Sequence, residues 1–575
     1  MPYIYRIDLS GSTVNKEKIN RGHKYEFYAG RALSSKVVSD EVPGNADPFG
    51  LENKFIISAG FLTGTPTPNS GRLSIGSKSP LTNGVKEANV GGKAPAILAS
   101  YDIRALVFEG IAPEWKIAII GDDGLRLEDG RKYTGLSNYA LAETLRSDYG
   151  DNIGAFTVGI AGDKKFANAT VASIDMEGYP SRHAGRGGMG GVMGSKRLKA
   201  VVLLPKKGSN IHYADKKSFL SVSKPWFKDL HEAKRTFSKY GTAITVSGMN
   251  ESHGLPTKNF RRGTFKDAGK IGGDALHAYL QENKGKWSVA CSPGCAIHCS
   301  NMVIGPDGEH ITSSLEYETI ALNGSNLLIG DIEALAWIDH YTDDVGMDSI
   351  ETGNCLAMFM EAGKIEWGDS EAVMKLLRGV KDDNPESLLL GLGVKRLGEK
   401  LDVERIPHVK GQGFPGYEPR SYKGMGVTFA TNPMGADHTA GPAIMNRRAY
   451  ADRYYKEDQP ADPEHKVQLS RELQIFIMLM DSMGLCFFVG PSYESTEKLT
   501  QLLYYRYGEG WEKTAEDWIK WAEECLKMEH AYNVKSGLGP ETDTLPEFIL
   551  KEKLEDVDRI WDIDESEIRE FWDNF

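Results

Sequence analysis

RHAGRGGMGGVMGSKRLKAVVLLPKK, residues 182–207, marks the point at which the chain changes character. Upstream of it, short apolar runs separated by glycine follow one another, as in YIYRIDLS, KFIISAGF, ALVFEGIA and WKIAIIGDD. Such runs are typical of β-strands. Downstream, apolar residues recur at helical spacing over longer segments. We therefore predict an α+β fold, with a β-rich N-terminal domain of residues 1–207 followed by mainly α-helical chain.

The helical part divides into two predicted domains. Asp331 precedes IEALAWIDHY and Ser470 precedes RELQIFIMLM, and both residue types favour the N-cap position of a helix. Between these segments lies a glycine- and proline-rich stretch, residues 410–426. We place a boundary there, which predicts helical domains of residues 208–412 and 413–575.

Composition excludes several classes of protein. The chain has 575 residues, of which 40% are hydrophobic and 26% are charged, and its formal net charge is -12. An acidic balance argues against a nucleic-acid partner, because binding phosphates requires a basic surface. Arg6 and Asp8 interrupt the N-terminus where a signal peptide would be apolar, and no later stretch predicts a membrane span. We expect a cytoplasmic protein.

Three of the six cysteines fall in one short run, CSPGCAIHC, at Cys291, Cys295 and Cys299. In a reducing compartment, clustered thiols more often bind metal than form disulfides. Iron-sulfur clusters are usually held by four cysteine thiolates, so this run lacks one ligand. A structural zinc site or three unrelated buried thiols remain alternatives. The C-x3-C-x3-C spacing differs from the C-x3-C-x2-C run of radical enzymes that cleave S-adenosylmethionine.

Cys486 is the best candidate for a fourth ligand, because it ends an Asp-x-x-Gly-x-Cys element, residues 481–486. A similar Asp-x-x-Gly-x-Asp element occupies residues 343–348, and each follows an apolar segment where a helix should end. Two such helix ends could face one bound object. Cys525 lies within WAEECLKM and has the pattern of a helix-core residue.

Two glycine-rich stretches, residues 71–95 and 182–200, are candidate cofactor-binding loops. Dense glycine allows close backbone approach to a ligand, and successive N–H groups before a helix can bind phosphate. A mobile turn and a solvated hairpin are the simpler alternatives. Neither stretch matches the dinucleotide or Walker patterns, so nucleotide binding has weak support.

Candidate proton-transfer groups lie in two further segments. LEYETIALNG contains Glu316 and Glu318, and NPMGADHTAGP contains His438. Carboxylates and imidazoles in mildly apolar surroundings have pKa values that can be shifted toward neutrality. Each one alone is more often a structural polar residue with satisfied hydrogen bonds.

In their order along the chain, these segments resemble the aldehyde:ferredoxin oxidoreductase family of tungsten enzymes. The resemblance rests on SKSPLTNGVKEANVGGK, AGRGGMGGVMGSKRLKA, CSPGCAIHC, LEYETIALNG, DDVGMDSIETGN, GADH, DSMGLC, AYNVKSGL and DTLPEF. It implies a β-rich base for two pyranopterins, capped by two helical domains. It also implies a tungsten or molybdenum ion held by the sulfurs of the pterins, a [4Fe-4S] cluster, and a magnesium ion between the pterin phosphates.

The resemblance assigns roles to residues of the two glycine-rich stretches. Arg72 would lie between the cluster and a pterin. Asn89 and Ala184 would offer backbone carbonyls to the magnesium ion, and Gly91 and Gly185 would permit that close approach.

It also gives the two Asp-x-x-Gly elements a role. Asp343 and Asp481 would accept hydrogen bonds from the pterin edges, with Asp348 assisting and Leu485 contacting the cofactor. Because Cys486 belongs to the same element as Asp481, the resemblance favours Cys486 as the fourth cluster ligand, beside Cys291, Cys295 and Cys299.

By resemblance, Glu318 and His438 form the acid/base pair of the active site, with Glu316 as the second choice. The implied reaction is oxidation of an aldehyde to a carboxylic acid, with electrons leaving through the cluster to ferredoxin or a ferredoxin-like subunit. Alternatives are the catalytic subunit of a reductase complex that acts on an aromatic acyl thioester, and an electron-transfer protein with a cluster only. Homo- and hetero-oligomers both stay open.

Three departures set the chain apart from better-known members of that family. Its cysteine run has one residue more before Cys295 than the C-x2-C-x3-C run of those members. Met434 precedes GADH where arginine is common, and the chain contains no Glu-x-x-His. We therefore expect a divergent branch with an altered substrate pocket, and the missing motif argues against a dimer-bridging iron.

Overall fold

The computed structural model describes residues 2–444 and 459–575. The chain forms two compact units, each built from separate stretches of sequence. The first unit comprises residues 1–233, 290–296 and 475–537, and the second comprises residues 234–289, 297–474 and 538–575. The three-domain division at residues 207 and 412 stays a prediction.

The strands concentrate in the N-terminal part of the chain. Within the described residues they are β1 Tyr3–Asp8, β2 Thr13–Lys18, β3 Phe55–Ala59, β4 Leu73–Lys78, β5 Val85–Val90, β6 Ile103–Glu109, β7 Lys116–Gly121, β8 Gly124–Asp129, β9 Gly154–Thr157, β10 Val171–Ser173, β11 Arg182–Ala184, β12 Leu198–Leu203, β13 Lys286–Val289, β14 Ser300–Ile304, β15 His310–Ser313, β16 His408–Val409 and β17 Gln412–Gly413.

The α-helices dominate after residue 207. In the same described ranges they are α1 Gly30–Glu41, α2 Ala94–Ser100, α3 Asn138–Tyr149, α4 Ile160–Asp163, α5 Met189–Ser195, α6 Lys216–Ala233, α7 Arg235–Tyr240, α8 Thr245–Glu251, α9 Ala268–Ile271, α10 Gly273–Glu282, α11 Tyr317–Asn323, α12 Ile332–Val345, α13 Ser349–Glu361, α14 Ser370–Arg378, α15 Val394–Lys400, α16 Lys423–Thr431, α17 Lys466–Met483, α18 Tyr493–Tyr507, α19 Ala515–Lys535, α20 Glu547–Lys551 and α21 Glu565–Arg569.

The first unit is built on two six-stranded sheets. Their strand orders are β2-β1-β6-β3-β4-β5 and β11-β10-β9-β12-β7-β8. Most neighbouring strands are antiparallel, and each sheet contains one parallel pair, β1 with β6 and β7 with β12. The predicted β-rich N-terminal region is thus confirmed, and so is the helical character of the chain that follows it.

Alternating side chains explain how both faces of these sheets are buried. Phe55 and Ile57 on β3 point into a core shared with Ile120 on β7, so the two sheets pack face to face. Ile56 points to the opposite face, against α1, and Ile119 points against α3. Helices therefore cover the outer faces, and the inner strands read as continuous apolar runs.

The second unit is mainly helical, with a three-stranded sheet in the order β13-β14-β15 and a short hairpin of β16 and β17. Helix α12 begins as predicted, because the Asp331 carboxylate accepts a hydrogen bond from the N–H of Ala334 at 2.8 Å. The predicted cap at Ser470 is wrong: α17 begins at Lys466, and the Ser470 hydroxyl lies 2.6 Å from that of Thr428. Ser470 therefore lies inside α17, where its buried hydroxyl contacts that of Thr428, and it does not begin the helix.

No helix among the described residues combines the length and the apolar character that crossing a bilayer requires.

A buried ion pair joins α1 to α19 inside the first unit. The guanidinium of Arg31 donates two hydrogen bonds to the carboxylate of Glu529, at 3.0 and 2.7 Å, and both side chains are fully buried. Ser35 donates to the same carboxylate at 2.7 Å. Such a pair tolerates the loss of either partner poorly, because the remaining charge stays buried.

We expect Glu529→Gln to destabilise the protein by on the order of 3 kcal/mol, because it leaves the Arg31 charge without its main partner. The midpoint of thermal unfolding measures this. Glu524→Gln on the same helix is the control, because Glu524 is exposed. Equal midpoints for the two variants would contradict a stabilising role for the pair of Arg31 and Glu529.

Candidate functional site

The cysteine run forms the connection of a β-hairpin. Residues 290–299 link β13 to β14, and Val289 and Ser300 are register partners in that antiparallel pair. The pairing fixes the two ends of the loop next to each other. Cys291 and Cys295 are buried, whereas Cys299 is half-buried.

Positive charge surrounds the first cysteine. The pKa of Cys291 lies well below the ordinary value of a thiol, because Cys295 donates a hydrogen bond to it and the guanidinium groups of Arg72 and Arg182 lie nearby. Arg72 Nη2 donates to Cys291 Sγ at 3.9 Å. A thiolate is the form that binds metal, so these contacts favour the ligand form of Cys291.

Asn69 connects the cysteine loop to the segment of Cys486. Its N–H donates to the carbonyl of Gly294 at 2.9 Å, and its side-chain oxygen accepts from the N–H of Ala296 at 2.7 Å. Its own carbonyl accepts from the N–H of Cys486 at 3.1 Å. Both neighbours of Cys295 are therefore hydrogen-bonded to the residue that also holds Cys486. Asn69 thus ties the segments of Cys295 and Cys486 together, and a single centre shared by all four cysteines stays a prediction.

Sequence reasoning missed Asn69. It lies in the turn TPTPNSGR and adopts a left-handed conformation, with φ 57°. Asparagine tolerates that conformation better than most residues. The turn pattern around it was visible in the sequence, but nothing linked that turn to residues more than 200 positions away.

The element that carries Asp481 and Cys486 spans the end of α17, where the sequence predicted a helix to end. Gly484 ends that helix with φ 79°, and Gly346 ends α12 in the same way with φ 85°. Within the first unit, two backbone hydrogen bonds attach the element to the segment after β3, from the N–H groups of Phe61 and Leu62 to the carbonyls of Ser482 and Met483. A side chain at Gly60 would collide with the backbone of Gly484. Glycine is therefore required for this close packing.

The aspartates of the two elements occupy different surroundings. Asp481 accepts from Arg31 Nη1 at 3.4 Å and is 13% exposed, so it retains access to a ligand. Asp343 is buried in the last turn of α12. Asp348 caps α13, accepting from the N–H of Ile350 at 3.0 Å. One oxygen of Asp348 thus has a structural role, and cofactor contact by these three residues stays a prediction.

The two glycine-rich stretches come together within the first unit. Strand β5, which carries Asn89, contacts β11, which ends at Ala184. Arg72 donates to the side-chain oxygen of Asn89 at 3.2 Å, whereas the Asn89 amide nitrogen is buried with no hydrogen-bond partner among the described residues. A side chain at Gly185 would point into open space.

These residues fit the predicted phosphate-bearing cofactor. A buried donor without a partner costs free energy, so it indicates a missing acceptor. Gly91 lies against the carbonyl of Cys291, and Gly92 N–H donates to that carbonyl at 2.9 Å. The cofactor-binding stretch and the cysteine loop are thereby neighbours. Magnesium binding by Asn89 and Ala184 and a contact from Leu485 remain predictions.

Glu318 and His438 lie together in the second unit. His438 Nε2 is 3.5 Å from Glu318 Oε1, and the side chains are 18% and 14% exposed. Glu318 Oε2 accepts from the N–H of Gly416 at 2.7 Å, which fixes the carboxylate. His438 Nδ1 is buried and has no hydrogen-bond partner among the described residues. A fixed carboxylate beside an imidazole has the geometry of an acid/base pair.

Glu316 points elsewhere. Its carboxylate accepts hydrogen bonds from the hydroxyl groups of Thr242 and Ser314, the latter at 2.7 Å. It stands at the N-cap of α11, two residues before Glu318. The structure therefore supports Glu318, the first choice from the sequence, as the partner of His438.

The remaining cysteines are core residues. Cys525 is buried within α19, in agreement with its sequence pattern, and the Cys355 thiol lies 3.8 Å from the carbonyl of Leu390. In residues 2–444 and 459–575, no three His, Cys, Asp or Glu side chains are arranged to hold a metal ion. Ligation by Cys291, Cys295, Cys299 and Cys486 stays a prediction.

Comparison with known families identifies the class of protein that this fold and these groups define. Residues 4–204 match the model of the aldehyde ferredoxin oxidoreductase N-terminal domain, and residues 222–572 match that of aldehyde ferredoxin oxidoreductase domains 2 and 3. The chain belongs to the aldehyde ferredoxin oxidoreductase family.

Individual relatives agree with this assignment. The chain is 32% identical to the tungsten-containing aldehyde ferredoxin oxidoreductase of Pyrococcus horikoshii, over 96% of this chain and 91% of that protein. It is 27% identical to an aliphatic sulfonate oxidoreductase WOR-like subunit of Pyrococcus furiosus, over 76% and 74%. The active-site complex BamBC of benzoyl coenzyme A reductase shares the fold, with a TM-score of 0.79 at 17% identity over 97% of this chain and 92% of the matched chain.

Asn69→Ala should lower the iron content of the anaerobically purified protein at least severalfold, because it removes the side-chain bond to the cysteine loop. Iron assay and visible absorbance measure the loss. Asn83→Ala is the control, since Asn83 also has a positive φ of 65° but is exposed in another turn. Full iron occupancy in Asn69→Ala would refute the role of this residue.

Proposed function

We propose that this protein is a tungsten or molybdenum bis-pyranopterin oxidoreductase that oxidises an aldehyde to a carboxylic acid. Electrons would leave singly through a [4Fe-4S] cluster to ferredoxin or a ferredoxin-like subunit. The observation that carries the proposal is the pair formed by Glu318 and His438, held 3.5 Å apart in a member of this oxidoreductase family.

The residues that would hold the cofactors lie in the first unit, apart from three. Cys291, Cys295 and Cys486 would hold the cluster with Cys299 of the second unit, and Arg72 would lie beside it.

Asn89 and Ala184 would hold the magnesium ion of the pterin phosphates. Asp481, with Asp343 and Asp348 of the second unit, would accept hydrogen bonds from the pterins. The bound cofactor would supply the two-electron redox chemistry.

The overall reaction is RCHO + H2O → RCOOH + 2 e⁻ + 2 H⁺, so two protons must be removed. Glu318 would accept one, and its contacts support this role, because Gly416 binds Oε2 and Oε1 faces His438. His438 Nδ1 can donate to the carbonyl oxygen of the substrate, which would polarise the carbon toward addition of water.

Glu318→Gln and His438→Ala should each lower kcat for aldehyde oxidation by about 10²- to 10⁴-fold, because each removes a proton-transfer group. Tungsten and iron contents should not change. The matched control is Glu316→Gln, which alters the neighbouring glutamate that faces Thr242 and Ser314. Wild-type turnover in Glu318→Gln, or an equal loss in Glu316→Gln, would remove Glu318 from the mechanism.

Metal analysis after anaerobic purification tests the cofactor set. We expect one tungsten or molybdenum, two pterins, and about four irons per chain. Reduction of a viologen dye should then follow addition of an aldehyde. Dye-linked turnover of an aromatic acyl thioester instead, with the chain eluting in a larger complex, would indicate the reductase alternative. Iron without tungsten, molybdenum or pterin would indicate an electron-transfer protein.

A further inference from the structure

The second unit carries a local concentration of positive charge on an acidic chain. Residues 234–240 and 284–288 contain five Lys or Arg and no Asp or Glu, although the whole chain has a net charge of -12. The five basic residues are Lys234, Arg235, Lys239, Lys284 and Lys286. We call the surface formed by these two segments the basic face.

The two segments form one continuous surface. Helix α7 packs against strand β13, and the hydroxyl groups of Ser238 and Ser288 lie 2.8 Å apart. Four of the basic side chains are exposed: Arg235, Lys239, Lys284 and Lys286. Strand β13 is the edge of its sheet, so no further strand of the described chain covers this side.

A row of aromatic rings crosses the basic face. The ring of Tyr240 lies 5.4 Å from that of His277, which lies 4.7 Å from that of Trp287. Trp287 is 40% exposed, and the Lys239 ammonium group lies over the ring of Tyr240 at 4.6 Å. An exposed tryptophan within a charged rim is typical of the centre of a protein–protein interface.

Few acidic groups oppose this charge. Helix α10 packs against both α7 and β13, and it contributes two exposed carboxylates, Asp274 and Glu282. With five basic and two acidic groups, the basic face and α10 together keep a net charge of +3. A partner attracted to this surface would therefore be acidic.

The basic face adjoins the cysteine loop. Strand β13 ends two residues before Cys291, and Gly241 follows α7 directly. A Cβ atom added to Gly241 would lie 2.9 Å from the carbonyl oxygen of Cys299, so the end of α7 touches that cysteine. Cys299 is half-buried, whereas Cys291, Cys295 and Cys486 are buried. The most exposed of the predicted cluster ligands thus lies at this surface.

We propose that the basic face is the docking surface for an acidic one-electron carrier protein of the ferredoxin type. This rests on the proposed function, because the carrier is needed only if electrons leave through the cysteine loop. Oxidation of one aldehyde releases two electrons, and each carrier accepts one at its own iron-sulfur cluster. Two carriers must therefore bind and leave for every turnover, which favours a weak, charge-steered contact.

A binding titration tests the surface directly. The holoprotein is titrated with a purified acidic [4Fe-4S] ferredoxin at about 10 mM ionic strength, where charges act over roughly 30 Å. We expect the double variant Lys239→Glu with Lys284→Glu to raise Kd by about tenfold or more. Salt should weaken binding of the wild type and reduce the difference between the two proteins.

The control for the titration is the double variant Lys395→Glu with Lys400→Glu. It makes the same charge change on α15, in the same unit, at two exposed lysines. It should bind ferredoxin as the wild type does. Equal weakening by both double variants would show a dependence on net charge alone and would overturn the proposal, as would wild-type affinity in the Lys239/Lys284 variant.

Turnover separates this proposal from the proposed function. With an aldehyde as donor, the Lys239/Lys284 variant should lose about tenfold or more in kcat/KM for ferredoxin but keep its rate with methyl viologen, which needs no docking surface. Trp287→Ala should weaken ferredoxin binding at low and high salt alike. If no aldehyde reduces viologen while the binding pattern holds, the docking surface stands and the aldehyde reaction fails.

Discussion

The backbone contact between the Asp481–Cys486 element and residues 60–62, which follow β3, is the constraint on which the rest of the first unit depends. Gly60 and Gly484 let two chain segments meet without intervening side chains. The hydrogen bonds of Asn69 then hold Cys486 and the cysteine loop to a single residue. All but one of these bonds join backbone groups on both sides, so they leave the segments little freedom to shift independently.

The buried ion pair of Arg31 and Glu529 also stabilises this arrangement. Arg31 reaches both Glu529 and Asp481, so α1, α19 and the end of α17 are joined by one guanidinium. Glu87 lies in the same cluster, and its pKa is raised to about 8 by burial and by the nearby charge of Asp481. A neutral Glu87 limits the number of negative charges that Arg31 must compensate.

The fold class was predictable from the sequence, because the short apolar runs separated by glycine in residues 1–207 are local signals. The helix ends at Gly346 and Gly484 were predictable for the same reason. The cap at Ser470 was not, because its hydroxyl is used by Thr428, a tertiary contact that no local pattern contains. The choice of Glu318 over Glu316 as the partner of His438 came from the family resemblance. The role of Asn69 could be found only from the structure, because its partners are distant in sequence.

The first unit is built from segments that are far apart in the sequence, and this affects its folding during synthesis. Its sheets lie within the first 233 residues, but α18 and α19, which belong to it, come after residue 475. At typical translation speeds of about 5–20 residues per second, the sheets would wait roughly 15–60 s on the ribosome until α19 is complete. During that interval the face that later receives α19 is uncovered. A nascent chain in this state exposes apolar surface and is therefore open to aggregation.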